Sequence, residues 1–282
     1  AIATQKLFKV LLAKDQHKTI VKEMIQSEIV NGFSPKLYDI LDSLPTSIGI
    51  FYVHNDKGDI IYISKANNIR KKVGQHFTGV SKNAKRIQNE VFAVTFEECG
   101  NELIASLKER EEILVNKPVL NVAQRRSMFL WGVYLDNIQQ NPELKISKID
   151  GRKKEIAAFK TQKNAIEFIN NLQKIDVIES ESFQKFIEEN TTENSLIQKI
   201  EYFQTKDQSF IMVMNGRRVD EKSAVVIKNG SFKGYCFFDL NYQLLNADVL
   251  DKLLIPLTHT KDALNIIKYY LYNKKDFRLI EF

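Results

Sequence analysis

Apolar residues along this chain change period several times, and each change marks an element. Leu7, Val10 and Leu11, then Ile20, Val21, Met24 and Ile25, recur every three or four positions, predicting one or two helices over residues 1–31. Asn31-Gly32 and Ser34-Pro35 end that pattern, and a short helix over Lys36–Leu44 stops at Pro45. Alternation takes over next. Ile48–Val53 and Ile60–Ile63 read as strands around Asn55-Asp56-Lys57-Gly58-Asp59, whose Asn, Asp and Gly tolerate turn backbone angles. Helices follow over about Ala66–His76 and Lys82–Ile87, then a strand over Val91–Phe96 and a helix over Asn101–Val115, closed by Asn116-Lys117-Pro118.

Past Arg126 the pattern shifts again. Trp131–Tyr134 and Leu144–Ile149 read as strands, and Asn164–Leu172 as a helix with Ala165, Phe168, Ile169 and Leu172 on one face. Residues 179–202 are polar with helical spacing, a helical connector. Phe210–Met214, Ala224–Ile227 and Tyr235–Phe238, with a turn at Asn229-Gly230, predict an antiparallel meander. Residues 262–272 read as a helix. The fold class is therefore α+β. It divides into a helical segment (1–44), a compact α/β unit with a short antiparallel sheet flanked by helices (45–126), and a C-terminal α+β domain (127–282).

The 282 residues carry a net charge of +6, an excess that suits a polyanionic partner such as DNA but is also common in proteins that bind none. The sequence holds no apolar run long enough to span a membrane. Cys99 and Cys236 lie far apart, without the C-x-x-C spacing of zinc or iron–sulfur sites, and a reduced cytoplasmic setting is expected. The start, Ala1-Ile2-Ala3-Thr4-Gln5-Lys6, has neither an initiator Met nor a signal-peptide pattern, so a longer native polypeptide is expected.

Candidate chemistry concentrates in residues 49–121. Tyr52 and Tyr62 are phenols on adjacent strands; Lys65, Arg70, Lys71 and Lys72 form a cationic cluster; His76 could act as acid or base; and Glu109 could hold a hard cation such as Mg²⁺. Each has a plainer reading. A strand Tyr is commonly a packing residue, a run such as Arg70-Lys71-Lys72 a solvated helix face, and a Glu among Lys108, Arg110, Glu111 and Glu112 ordinary surface.

Gly49-Ile50-Phe51, Tyr62-Ile63-Ser64-Lys65-Ala66, Asn68–Val73, Gln75-His76-Phe77, Asn101-Glu102-Leu103, Leu107-Lys108-Glu109 and Pro118-Val119-Leu120-Asn121 follow one another in an order similar to that of the GIY-YIG nuclease domain of the bacterial excinuclease C group. The chain resembles most the version fused behind a DNA polymerase III epsilon-type exonuclease: Asn121–Arg126 is similar to that domain's exit, Ala1–Leu12 to the last exonuclease helix, and Asn215–Ser223 with Asn229–Tyr235 to the C-terminal part. The resemblance implies a DNA endonuclease of repair, such as nucleotide excision repair, or of replication, hydrolysing phosphodiesters with one Mg²⁺ or Mn²⁺. It implies Tyr62 beside the attacking water, Lys72 steadying the phosphate, Glu109 on the metal, Asn121 in support, Lys65 as the motif lysine and His76 near the phosphate. DNA would lie along Lys65, Arg70, Lys71, Lys72, Lys82, Lys85 and Arg86. That fused version has a cysteine-rich segment where 177–203 here has no cysteine.

Three positions depart from the pattern. Phe51 replaces the first tyrosine; Ser64 replaces the glycine; Lys72 replaces an arginine and loses its bidentate grip. Tyr52 cannot stand in for Phe51, because consecutive strand residues face opposite sides. The alternatives at this point are a catalytically degenerate module that binds DNA and targets a fused exonuclease, and an interaction domain with no nucleic-acid role.

Overall fold

The computed structural model describes residues 35–136, 142–174, 200, 209–239, 252–273 and 276–281. The helices expected over 1–31 and the connector over 179–202 lie outside them, apart from residue 200.

A short helix, α1 (Pro35–Ser43), leads into strands β1 (Gly49–His54) and β2 (Ile60–Ala66). Asn55 makes the turn between them, its Oδ1 accepting from Lys57 N (3.0 Å) and Asp59 N (2.8 Å), with Gly58 at φ 84°. Next come α2 (Ile69–Thr78), α3 (Lys82–Glu90), β3 (Ala93–Glu98) and α4 (Glu102–Asn116). The first sheet runs β2-β1-β3, all antiparallel. Gly49 opens β1 because a Cβ there would sit 2.1 Å from the Glu97 carbonyl oxygen.

Boundaries move by a few residues from expectation, each for a local reason. α2 begins at Ile69, not Ala66, because β2 runs on to Ala66 and Asn68 caps the helix by accepting from Lys71 N (2.8 Å). α3 extends to Glu90, so Val91 is its cap rather than the start of a strand.

Beyond a 3₁₀ turn (Ala123–Arg125), β4 (Trp131–Asp136), β5 (Glu143–Lys148) and β6 (Ala157–Phe159) form a sheet of order β5-β4-β6, packed on α5 (Gln162–Lys174) through Val133, Phe159, Ala165 and Phe168. The meander is β7 (Phe210–Asn215), β8 (Glu221–Lys228) and β9 (Ser231–Asp239). With β10 (Ile255–Pro256) and β11 (Arg278–Glu281) it makes a five-stranded antiparallel sheet of order β10-β9-β8-β7-β11, and α6 (Lys261–Asn273) packs beside it.

The apolar core does not stop at residue 126. Ile50, Cys99, Leu103 and Ile104 share one buried cluster with Met212, Val225, Tyr235, Ile267 and Tyr270. Gly100 (φ 72°) abuts Gly216 so closely that a Cβ would lie 2.3 Å from its carbonyl carbon. Arg110 of α4 pairs with Asp262 of α6 at 2.5 Å, both buried, and Ser127 Oγ donates to the same carboxylate (2.8 Å). The other face of the first sheet holds a separate cluster, Phe51, Val53, Tyr62, Ile69, Val73 and Phe77, beneath α2 and α3.

Candidate active site

Residues of β1, β2, α2 and α4 meet on that second face. Phe51 and Ser64 are directly paired across β1 and β2, and Tyr62, two residues before Ser64, points the same way. The Phe51 and Tyr62 rings lie 6.2 Å apart, centroid to centroid, and His76 from α2 sits 5.1 Å from Tyr62, edge-on, and 6.0 Å from Phe51. Phe51 is completely buried. Tyr52 belongs to the opposite face, in the cluster shared with the C-terminal strands, so it does not replace the missing hydroxyl.

The electrostatics of this corner follow from burial. His76 is held at a pKa of about 4, first by burial and then by the Lys72 ammonium one turn away, so its ring is neutral near pH 7. Its Nε2 is buried and has no hydrogen-bond partner among the described residues. Tyr62 is pushed above the ordinary phenol value by burial; the Ser64 side chain opposes that rise and the Glu109 carboxylate adds to it.

Two motif residues have a structural task that the sequence did not disclose. β2 is an edge strand, and its outer backbone groups need partners. Leu120 N donates to Ile61 O (3.0 Å). Asn121 accepts from Ile63 N and donates to Ile63 O, both at 2.9 Å. Glu109 Oε1 accepts from Lys65 N (2.9 Å) and from Ser64 Oγ (3.3 Å). The edge is thereby closed, and the Glu109 carboxylate is fixed at the site by a backbone donor.

Lys65 is not a free cation: its Nζ bonds Glu102 Oε1 and Ser106 Oγ, each at 2.9 Å. Glu102, Ser106 and Glu109 are spaced i, i+4, i+7, so the helical period that places Glu109 could also have pointed to its two neighbours. Lys71, Lys82, Lys85 and Arg86 are exposed on α2 and α3, and Lys72 is half-buried. Arg86 Nε is held by Glu90 (3.2 Å).

Arg70, exposed on α2, also has a structural task. Its Nε donates to Leu44 O (2.7 Å) and its Nη2 to Asp42 O (3.0 Å), satisfying carbonyls at the end of α1. The neighbours of Glu109 are likewise not ordinary surface: Lys108 and Arg110 are buried, and Glu111 accepts from Thr258 N and from Thr258 Oγ1 (2.9 Å). Glu221, which follows a turn, bonds Arg217 through Nε (2.9 Å) and Nη2 (2.5 Å).

Among the described residues no cluster of three His, Cys, Asp or Glu side chains could cage a metal. One fixed carboxylate is nonetheless what a hydrated Mg²⁺ accepts, since that ion keeps several waters and takes its remaining ligands from a carboxylate or two and a substrate phosphate. Glu109 fits that role.

The small sheet thus brings two paired motif strands, a phenol, a cationic helix and a backbone-anchored carboxylate into one region. Residues 47–122 match the family model of the UvrC-like GIY-YIG domain. Relatives include the UvrABC system protein C of Mycoplasmoides gallisepticum, 40% identical over 83 residues (29% of this chain), and that of Koribacter versatilis, 35% identical over 92 residues (32% of this chain). The chain spans 14% and 15% of those two proteins. A Mycobacterium tuberculosis protein provisionally named bifunctional exonuclease/endonuclease is 23% identical over 133 residues, 45% of this chain and 20% of that protein. Among solved structures, the GIY-YIG N-terminal endonuclease domain of UvrC from Thermotoga maritima, bound to its catalytic divalent cation, magnesium, aligns with 32% of this chain and 100% of that one, at 23% identity and a TM-score of 0.30. No helix of the described residues is long and apolar enough to cross a membrane.

Proposed function

We propose that this chain cuts phosphodiester bonds in DNA, as a repair endonuclease of the cytoplasm that uses one Mg²⁺ or Mn²⁺ ion. The reading is carried by Tyr62, which feels the backbone-anchored Glu109 carboxylate on one side and packs on His76, itself beside Lys72, on the other. A lone carboxylate is a hard oxygen donor, which supports the choice of ion. Held by Glu109, such an ion would offset charge on the phosphate and on the leaving oxygen.

The chain's own residues supply the rest. Lys72 places a point charge on the phosphate, without the fork of an arginine. With Phe51 mute, Tyr62 is, among the described residues of this face, the phenol left to orient the attacking water and take its proton. A phenol raised by burial is mostly protonated at neutral pH, so cutting is slow there and speeds up with alkalinity. His76, kept neutral, adds no second positive charge beside Lys72. We extend the reading to a native protein that also carries an epsilon-type exonuclease, supported by the name of the Mycobacterium tuberculosis relative. The size of the polypeptide in an extract of the native cells tests this, and a product no longer than the present chain counts against it.

The experiment is nicking of supercoiled plasmid in Mg²⁺ or Mn²⁺ by wild type and by Glu109→Gln. Glutamine keeps the acceptor for Lys65 N, so the β2 edge stays closed while the charge is lost. Wild-type nicking reduced by about 10²-fold or more in the variant is expected, the order of one electrostatic catalytic group. Equal nicking by both, or none by wild type in either metal, overturns the proposal. The second of these outcomes, with DNA still bound, would mean a fold kept for binding.

A further inference from the structure

Beside Glu109 opens a cavity of about 180 Å³ whose walls come from two parts of the chain. Lys65, Glu102 and Glu109 belong to the GIY-YIG unit; Lys160, Asn164 and Tyr269 come from the sequence beyond it. The two cations in this wall differ. Lys65 is engaged by Glu102 and Ser106. Lys160, at the junction of β6 and α5, has no ion pair with any described residue, although Glu109 and Glu102 are near enough to influence it. Lys160 is exposed to solvent and lines the cavity. Burial and the Lys65 ammonium hold its amine below the ordinary lysine value, the condition of a cation that lacks an anion of its own.

The wall that carries Lys160 is not a loose flap. Ala158 of β6 shares one apolar cluster with α4 and α6, and Arg110–Asp262 ties those two helices to each other. A side chain on such a frame can contribute to a site on the other part without an ordering cost at each encounter.

We propose that Lys160 is a DNA-phosphate contact of this nuclease site, contributed by the C-terminal part and supplying charge that Lys72 alone delivers without bidentate geometry. The inference rests on the nuclease reading only in taking the phosphate to be that of DNA. Binding and cutting are therefore measured separately.

A short fluorescein-labelled DNA duplex is titrated with the full chain by anisotropy, in EDTA, across about 50–200 mM salt, the range over which phosphate contacts are resolved. Wild type, Lys160→Ala, Lys160→Arg and Lys163→Ala are compared. Lys163 is exposed, lies next to the same helix start and does not line the cavity, so it reports the effect of removing one charge without the site. Lys160→Ala is expected to weaken binding about tenfold, the order of one charge-assisted hydrogen bond. It should also reduce the slope of log affinity against log salt by about one. Lys160→Arg should restore both, and Lys163→Ala should change affinity less than about twofold. Equal losses for Lys160→Ala and Lys163→Ala, an unchanged salt slope in Lys160→Ala, or no DNA binding by wild type overturns the proposal. The expected binding pattern without nicking by wild type in Mg²⁺ upholds it while removing the nuclease reading.

Discussion

Removing the Asn121 amide should cost stability before it costs chemistry. Asn121 is 1% exposed, and its side chain makes both bonds that a neighbouring strand would make to Ile63. Asn121→Ala strands a buried N–H and a buried C=O, each at a desolvation penalty of about 1–3 kcal/mol, partly relieved where a water fills the vacated space. We expect a loss of about 2–4 kcal/mol. For a chain of this size that lowers Tm by roughly 3–7 °C. Asn121→Asp sharpens the test. Its carboxylate still accepts from Ile63 N but opposes Ile63 O with a second acceptor, whereas the protonated form can donate to that oxygen. Folding thus favours protonation, so the folded pKa lies above the unfolded one, and the deficit against wild type shrinks as pH falls through it. Urea unfolding followed by Trp131 fluorescence and by circular dichroism, with coincident transitions as the two-state check, measures both variants. A loss below about 1 kcal/mol in Asn121→Ala, with plasmid nicking reduced by about 10²-fold, would show that Asn121 acts on the reaction and refute the edge-clamp reasoning.

Three further outcomes follow from the same geometry. Ser64→Gly removes the hydroxyl bonded to Glu109 at 3.3 Å and leaves the Lys65 N bond in place; tighter metal dependence of nicking is expected, and an unchanged Mg²⁺ half-saturation counts against a competing role for Ser64. His76 has a folded pKa of about 4, below its ordinary unfolded value near 6.5, so its contribution is present above that value and is lost as pH falls from about 6.5 toward 4; His76→Phe should flatten the fall in stability over that window, seen in Tm against pH. Asp262→Ala leaves the Arg110 guanidinium buried without its carboxylate and should cost about 3–5 kcal/mol, read by urea unfolding; a cost under about 1 kcal/mol means that water reaches Arg110.

What was legible in the sequence is what local pattern controls. Alternation over Ile48–Val53 and the Asn-Asp-Gly turn place β1 and β2, and helical spacing places α4 with Glu109 on it. The face assignment that rules out Tyr52 also comes from period two alone. Long-range partnerships were not legible. Nothing near Arg70 announces that it caps α1, and nothing near Arg110 announces a carboxylate on α6, because these pairs are set by how elements dock. Asn121 and Glu109 were singled out by resemblance, yet their bonds to β2 appear only once it is known that β2 is an edge.

That edge explains why binding and folding are hard to separate in this module. The outer rim of β2 is closed by Leu120, Asn121 and Glu109 in succession, and the last of these is also the candidate metal ligand. The Glu109 carboxylate is anchored by the backbone N–H of the strand that carries Tyr62 and Ser64, so the phenol and the carboxylate share one rigid part. The opposite face of the same sheet is buried against the C-terminal strands, and the helix bearing Glu109 is tied to α6 by a buried ion pair. Positional precision at the site therefore depends on residues on both sides of residue 126. A substitution in α6 that loosens Arg110–Asp262 should alter the placement of Glu109 without touching any residue that faces the phosphate.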